Sequence, residues 1–255
     1  MKKRLLFVSV LLMQACSVNE FANERKVDPV AGARTRVAIA AEYIQKGQPD
    51  LALQQLQRAL ELNPKSAEAH NVMGVLLEKD DNFVEAEQSY RKALSLKADY
   101  PQARNNYGVL LFRLKRYKEA MEQFSIAAAD LSYERRETAL EYVGKIALML
   151  GDKEKAKTTF ERALKLNPLL PNPALELALF AFEEQKLPEA NRYYQRYIRA
   201  LETEPQSARG LWLGIRLARV NHDNNALAIY EFTLKRLYAN SDEYQAYLSS
   251  LNSGF

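Results

Sequence analysis

Small and large apolar residues alternate along this chain at regular intervals, and their spacing predicts pairs of amphipathic helices. One alanine returns at separations of 34, 34, 36, 34 and 36 residues, at Ala52, Ala86, Ala120, Ala156, Ala190 and Ala226. Twelve residues before each of these stands another small residue: Ala40, Gly74, Gly108, Gly144, Ala178 and Gly214. Four residues after each stands a large one: Leu56, Tyr90, Phe124, Phe160, Tyr194 and Tyr230. Small residues let two helices cross closely and large ones fill the space between pairs, so the pattern predicts six stacked helix–turn–helix units.

Prolines place the ends of several predicted helices. Pro64 and Pro168 stand where the second helix of a unit must stop, and Pro101 begins the third unit. The two separations of 36 residues add two residues to the turns near 133–136 and 203–206, which we expect to change the angle between neighbouring units. The resulting units are 33–66, 67–100, 101–136, 137–170, 171–206 and 207–240.

The two longer turns divide the predicted solenoid into blocks. We favour blocks of three, two and one units over an arrangement in which the first unit stands beside blocks of two, two and one. After the sixth unit, Ser241 can start a helix, and four apolar residues follow it at helical spacing: Tyr244, Tyr247, Leu248 and Leu251. Residues 241–255 are therefore predicted to form a capping helix and tail that cover the end of the last unit.

A unit of about 34 residues with these fixed positions resembles the tetratricopeptide repeat. The resemblance implies an all-α, right-handed superhelix, in which positions two, five, nine, twelve and thirteen of each first helix line a concave groove. We select seven groove residues from the first three units: Val37, Ile44, Asn71, Val75, Asn105, Val109 and Phe112. The apolar ones offer contacts to the side chains of an extended or helical peptide, and the stacked asparagines offer a donor and an acceptor to its backbone. The alternative is that these residues only pack neighbouring helices.

The N-terminus carries the pattern of an export signal. Residues 2–4 are basic, residues 5–13 are apolar, and Ala15 follows shortly. This apolar run is too short to span a bilayer, which needs about 20 residues. Residues 1–15 are therefore predicted to be a signal peptide that is removed.

Cys16 is the single cysteine of the chain, and its surroundings resemble the lipobox of a bacterial lipoprotein. The resemblance implies cleavage before Cys16 and acylation there, which would anchor the chain in a membrane. Ser17 stands where an aspartate marks retention in the inner membrane, so we expect delivery to the outer membrane of a Gram-negative bacterium, with the solenoid facing the periplasm. The polar residues 16–32 are predicted to form a flexible tether.

Composition and charge argue against several classes of function. The net charge is +4 over 255 residues, and residues 2–4 supply three of these charges. The rest of the chain is nearly neutral, which argues against a nucleic-acid partner, because such a partner needs a concentrated basic stripe. His70 and His222 lie in different units, and neither a glycine-rich phosphate loop nor a nucleophile elbow occurs. We predict that the chain is not an enzyme and uses no cofactor, metal or small-molecule substrate.

Two stretches carry a more specific resemblance. Residues 103–120 read ARNNYGVLLFRLKRYKEA, and the stretch from Ala208 onward contains LGIRLARV, LKRLY and DEYQAYL. Both resemble the PilF/PilW lipoproteins of type IV pilus biogenesis, and with Cys16 and six units the resemblance covers nearly all of the mature chain. It implies a pilotin, which binds a PilQ-like secretin subunit, accompanies it to the outer membrane and promotes its multimerisation. The alternative is a general periplasmic tetratricopeptide lipoprotein that recruits peptidoglycan hydrolases or other envelope enzymes.

Overall fold

The computed structural model describes residues 28–252, which form thirteen α-helices and no strand. The prediction of an all-α chain is confirmed. In order, the helices are α1 (Pro29–Gln45), α2 (Pro49–Leu62), α3 (Ala67–Lys79), α4 (Phe83–Leu96), α5 (Pro101–Arg113), α6 (Tyr117–Ala129), α7 (Arg136–Met149), α8 (Lys153–Leu166), α9 (Pro171–Glu183), α10 (Leu187–Leu201), α11 (Ala208–Val220), α12 (Asn224–Tyr238) and α13 (Asp242–Asn252). The predicted signal peptide, the lipidation site Cys16 and the tether as far as residue 27 lie outside the described residues. Residues 29–32, predicted as the end of the tether, instead form the first turn of α1, which Asp28 caps by accepting from the backbone N–H of Val30.

Each odd-numbered helix from α1 to α11 packs against the even-numbered helix that follows it, which gives six pairs in the described part of the chain. Gly74 of α3 lies directly against Tyr90 of α4, where a Cβ atom would come within 2.6 Å of a ring carbon. Gly144 and Phe160 repeat this contact between α7 and α8, at 2.5 Å. Since real Cβ atoms need more room, these glycines are what allows the two helices of a pair to approach so closely.

The turn inside each pair contains one residue in the left-handed backbone region. These residues are Gly47, Asp81, Lys115, Gly151, Gln185 and His222. A left-handed residue reverses the chain sharply after a helix, and glycine adopts it without a steric penalty while other residues do so at some cost. The six turns are thus built alike, although only two of them use glycine.

The sixth unit lies one residue later than the alanine spacing predicts. In the five earlier units the left-handed residue stands five positions before the recurring alanine, as Asp81 does before Ala86. In the sixth unit His222 stands only four positions before Ala226. The unit therefore begins at residue 208, and the predicted start at residue 207 is corrected by one position.

Burial agrees with this shifted register. Ala226 is only half-buried, whereas the five earlier alanines of the ladder are completely buried, and Leu234 is the completely buried residue of α12. Ser207 caps α11 by accepting a hydrogen bond from the backbone N–H of Gly210 at 3.1 Å, which is the role that an N-cap serine has just before the first helical residue. The shift matters for the groove, because it moves Arg216 to groove position nine.

Buried side chains form overlapping clusters along the stack of pairs. One cluster joins units one and two, a second joins units two to four, and a third joins units four to six. Tyr133, from the first of the two longer turns, is buried in the second cluster. The predicted block boundary after unit three therefore does not correspond to a break in the core.

Helix α13 lies where the capping helix is predicted. The Tyr247 ring meets the Trp212 ring edge-on at 6.4 Å, and Arg219 donates a hydrogen bond to the Ser250 hydroxyl at 2.9 Å. These contacts cover α11, while Phe232 on α12 stays 64% exposed. Among the helices of residues 28–252, none combines the length and apolar character needed to cross a membrane.

Candidate partner-binding groove

The first helices of the six units supply the groove, and neighbouring first helices are joined by polar side chains. The side-chain amide of Asn106 in α5 donates to the side-chain oxygen of Asn71 in α3 at 3.1 Å. In the later units, Asn172 of α9 donates to Glu141 of α7 at 2.7 Å. These bonds fix the spacing of the helices and therefore the shape of the groove floor.

Val37 and Ile44, the predicted groove residues of unit one, are buried. Their exposed fractions are 8% and 6%, and both belong to the cluster that includes Ala33 and Leu56. Side chains this deeply packed hold α1 against its neighbours and present little surface to a partner. For these two positions the packing interpretation fits the structure better.

Asn71 uses its amide within the protein. Its oxygen accepts from Asn106, and its nitrogen donates to the Tyr100 hydroxyl at 3.5 Å. Because the side chain is only 3% exposed, it acts as a bridge between α3 and α5. We assign it to packing as well.

Asn105 stands one unit later at the same groove position and differs in one respect. Its side-chain oxygen is buried and accepts no hydrogen bond from any described residue. Asn105 is only 5% exposed, however, so this oxygen lies out of reach of a bound segment, and we assign Asn105 to packing as well. Val75, Val109 and Phe112 lie on the same helices and remain partly exposed.

Phe112 belongs to an aromatic group at the junction of units three and four. The centroid of the Phe112 ring lies 5.5 Å from those of Tyr117 and Tyr142. The Lys145 ammonium lies 4.9 Å from the centroid of the Phe112 ring. Tyr142 in turn stacks on Phe124 at 4.5 Å, nearly parallel. The group combines apolar area with a fixed orientation, which suits a hot spot for binding.

A charged network lies beside this apolar line. Glu78, only 8% exposed, accepts from the Tyr90 hydroxyl at 3.0 Å and pairs with Arg113 at 3.3 Å. Arg113 also pairs with Asp81 at 2.8 Å. Burial, followed by the neighbouring carboxylate of Glu78, raises the pKa of Tyr90, so the phenol stays protonated and donates. The network joins α3, α4 and α5 and therefore stiffens the groove wall.

Unit five and unit six extend the groove with residues that the selection from units one to three did not include. Phe182 stands at position twelve, as Phe112 does in unit three, so the same rule applied further along the chain would have found it. Trp212 and Arg216 take positions five and nine only in the corrected register of unit six. The C-terminal end of the groove is thus aromatic and cationic.

Other surfaces offer less. Among residues 28–252 no group of three or more His, Cys, Asp or Glu side chains is placed to hold a metal ion. A shallow cleft of about 440 Å³ lies on the second-helix side, lined in part by Leu169, Tyr193 and Arg196. Arg196 already donates to the carbonyl oxygens of Pro168 and Leu164 at 2.8 and 2.9 Å. That cleft therefore closes around a structural arginine.

Comparison with known families supports a tetratricopeptide fold. A family model described as the tetratricopeptide repeat protein 21 C-terminal ARM domain matches residues 31–129. A tetratricopeptide repeat model matches residues 138–170. Together they account for most of the described chain and agree with a superhelix of helix pairs.

Two bacterial proteins are similar over nearly the full length. The chain is 34% identical over 211 residues to the type IV pilus assembly protein PilF of Pseudomonas aeruginosa, covering 83% of this chain and 82% of that protein. The solved structure of Pseudomonas aeruginosa PilF matches with a TM-score of 0.82 at 34% identity, covering 87% of this chain and 99% of the other. PilW, described as a widely conserved type IV pilus biogenesis factor, matches with a TM-score of 0.67 at 28% identity, covering 85% of this chain and 98% of the other.

Proposed function

We propose that this chain, which belongs to the PilF/PilW family of type IV pilus biogenesis proteins, acts as a pilotin. It is a tetratricopeptide protein of pilus biogenesis. In the proposed role it binds an unassembled PilQ-like secretin subunit and promotes the multimerisation of that subunit at the outer membrane. The work is non-catalytic, since it consists of holding a segment and bringing copies of it together.

The observation that carries this proposal is the partly exposed line of Val75, Val109 and Phe112. Successive first helices present these residues side by side, which suits one continuous peptide segment. Apolar side chains of the segment would cover the line. Tetratricopeptide solenoids bind along such extended surfaces.

The proposed anchor supplies the second half of the mechanism. Cys16, which lies outside the described residues, would carry the lipid, and residues 16–27 would join it to α1. Tethering the bound secretin subunit to the membrane raises its effective concentration there, which favours assembly without any new contact. Groove and lipid therefore make separable contributions.

The groove is tested by the double substitution Val75→Glu with Phe112→Glu. We expect weaker co-purification of the secretin from detergent-solubilised membranes and fewer secretin multimers. Seating the segment on the variant would bury two carboxylates that have no partner, which is costly. The matched control is Val84→Glu with Ile126→Glu, since both residues are exposed apolar positions on second helices. Circular dichroism establishes that each variant is folded, and Phe112→Ala provides a milder probe of the same contact.

Undiminished secretin multimers with a folded Val75→Glu, Phe112→Glu protein would refute the groove assignment. The anchor is tested separately with Cys16→Ser, which should leave the protein soluble or mislocalised while secretin binding in detergent persists. Normal outer-membrane fractionation of Cys16→Ser would refute the lipid anchor and leave the groove untouched.

A further inference from the structure

Arg216 occupies an unusual place at the C-terminal end of the groove. Its guanidinium carbon lies 4.7 Å from the centre of the Phe182 ring and 5.4 Å from that of Trp212. The side chain is half-buried, and its Nε atom is buried with no hydrogen-bond partner. Two aromatic rings therefore hold a cation whose hydrogen-bonding capacity is unused.

The other half-buried arginines of residues 28–252 all use their donors. Arg36 and Arg104 bond glutamine side chains, Arg116 bonds two carboxylates, Arg136 and Arg196 bond carbonyl oxygens, and Arg219 bonds a serine hydroxyl. Arg216 alone among these partly buried arginines makes no hydrogen bond and no ion pair with a described residue. Arg216 therefore differs from the other half-buried arginines in that its donors bond no described residue.

The nearest carboxylate that affects Arg216 is already engaged. Glu183 lies at the end of α9, but its oxygen pairs with Lys153 at 3.1 Å. Burial lowers the pKa of Arg216, an effect that Glu183 only partly opposes. A guanidinium remains charged in proteins even when its pKa falls, so Arg216 is a partly desolvated cation that forms no ion pair with a described carboxylate.

The two terminal nitrogens of the guanidinium, unlike Nε, are not fully buried and bond no described residue. Cation–π contacts use the flat face of the group, whereas its N–H donors point outward in its plane and match the two oxygens of a carboxylate. Phe182, which lies against the guanidinium face, and Leu179 are partly buried members of the same apolar cluster of units four to six. The site thus suits a carboxylate flanked by apolar side chains.

We propose that Arg216 binds a carboxylate of the partner segment, an aspartate or glutamate side chain within an apolar stretch, with Phe182 and Trp212 holding the guanidinium in place. The identity of the partner rests on the proposed function, but the site itself does not. A bound segment would then run along the groove from the apolar line of units two and three to an ion pair with Arg216 in unit six.

The single tryptophan of the chain makes this proposal directly measurable, because Trp212 lies beside Arg216. Two capped heptapeptides serve as probes, one with a single glutamate between leucines and one with glutamine in its place. We expect the glutamate peptide to change the Trp212 fluorescence of the full-length protein saturably. It should bind about tenfold more tightly than the glutamine peptide, because a charge-assisted hydrogen bond to a guanidinium is stronger than a neutral one. Arg216→Gln should abolish this preference.

The matched control is Arg236→Gln, which removes the same charge from another arginine that stacks on an aromatic ring, at 5.5 Å from Phe232, but on exposed α12. It should keep the full preference for glutamate. Equal affinity of the wild type for both peptides, no saturable change with either, or an undiminished preference in folded Arg216→Gln would each overturn the proposal. Secretin co-purification is scored separately, so a glutamate preference without secretin binding would refute the proposed function and leave the carboxylate site standing.

Discussion

The junction between units two and three and the junction between units five and six have the same helix order but are held together differently. In the first, side chains of adjacent units bond one another directly, through Asn106 with Asn71 and Arg113 with Glu78. In the second, Arg209 pairs with Glu176 at 2.6 Å and Asn221 donates to the Asn191 side chain at 2.8 Å, but a longer turn also separates the units, and further side chains bond that turn. The difference follows from the number of residues between the two units.

Tyrosine hydroxyls hold that longer turn. Tyr194 donates to the Gln206 side chain at 2.8 Å, and Tyr238 donates to the Gln206 backbone oxygen at 2.8 Å. The backbone N–H of Ser207 donates to the Tyr197 hydroxyl at 3.0 Å. Both junctions thus join neighbouring units by direct side-chain pairs, and the second adds hydrogen bonds that fix its longer turn to the solenoid.

The largest effect is expected at two glycines, Gly74 inside unit two beside the first junction and Gly214 at the second junction. Gly74→Ala places a methyl group against ring carbons of Tyr90, and Gly214→Ala places one against the Tyr194 hydroxyl. Each should lower the free energy of unfolding by about 2 kcal/mol, since overpacking outweighs the gain in helix propensity. Urea unfolding followed by circular dichroism measures both.

A second substitution separates the two glycines. Removing the hydroxyl with Tyr194→Phe should recover part of the loss in Gly214→Ala, because the collision involves that oxygen. Tyr90→Phe should recover none in Gly74→Ala, where ring carbons are struck. Equal recovery at both sites would show that the two glycine contacts are alike and contradict this assignment.

Replacing an arginine by methionine should have unequal effects at the two junctions. Arg113→Met leaves the mostly buried carboxylate of Glu78 without its cation and should cost about 1–2 kcal/mol, a figure reduced for the partial exposure of Arg113. Arg216→Met removes a cation that has neither a hydrogen-bond nor an ion-pair partner among the described residues, so the free energy of unfolding should change by less than about 1 kcal/mol. Thermal unfolding of both variants tests this, and a larger loss for Arg216→Met would show a hidden partner.

The sequence was sufficient to predict the fold because the solenoid depends on a small and a large residue at fixed spacing. The register of unit six was wrong by one residue, since Gly214 is followed by Ile215 and Ala226 by Leu227, so two neighbouring registers both place apolar residues inward. Only the capping by Ser207 and the left-handed His222 decide between them.

The groove was less predictable than the fold. Val37, Ile44 and Asn71 occupy groove positions, but how much of each remains exposed depends on how closely adjacent first helices approach. That distance results from long-range packing. The ion pairs that Arg113 and Arg116 make with carboxylates of unit two and of α6 depend on the same long-range packing.

Acid should weaken the first junction more than the second. Burial would raise the pKa of Glu87, but hydrogen bonds from Arg116, Tyr107 and Arg91 outweigh it and lower the pKa to about 2. A depressed carboxylate pKa contributes stability above its unfolded value of about 4.5, and this contribution is lost as the pH falls from there towards 2. Because Glu87 is only half-buried, we expect about 1 kcal/mol after screening.

The measurement compares wild type with Glu87→Gln at pH 7 and at pH 2.5. The variant should be less stable at pH 7, and the difference should shrink at pH 2.5, where the wild-type carboxylate is itself becoming protonated. A difference independent of pH would assign the effect to lost packing. Tyr194→Phe serves as the control from the second junction, and its cost should not depend on pH in this range.

The smallest effect tests whether the long turn is held by its own bonds. Tyr194→Phe and Tyr238→Phe each remove one hydrogen bond to Gln206 and should each cost about 0.5–1 kcal/mol. Because both bonds fix the same residue, breaking one frees the turn and lowers the value of the other, so the double variant should lose less than the sum of the single losses. Strict additivity in urea unfolding would mean that the two tyrosines stabilise their own helices and that something other than Gln206 secures the turn between units five and six.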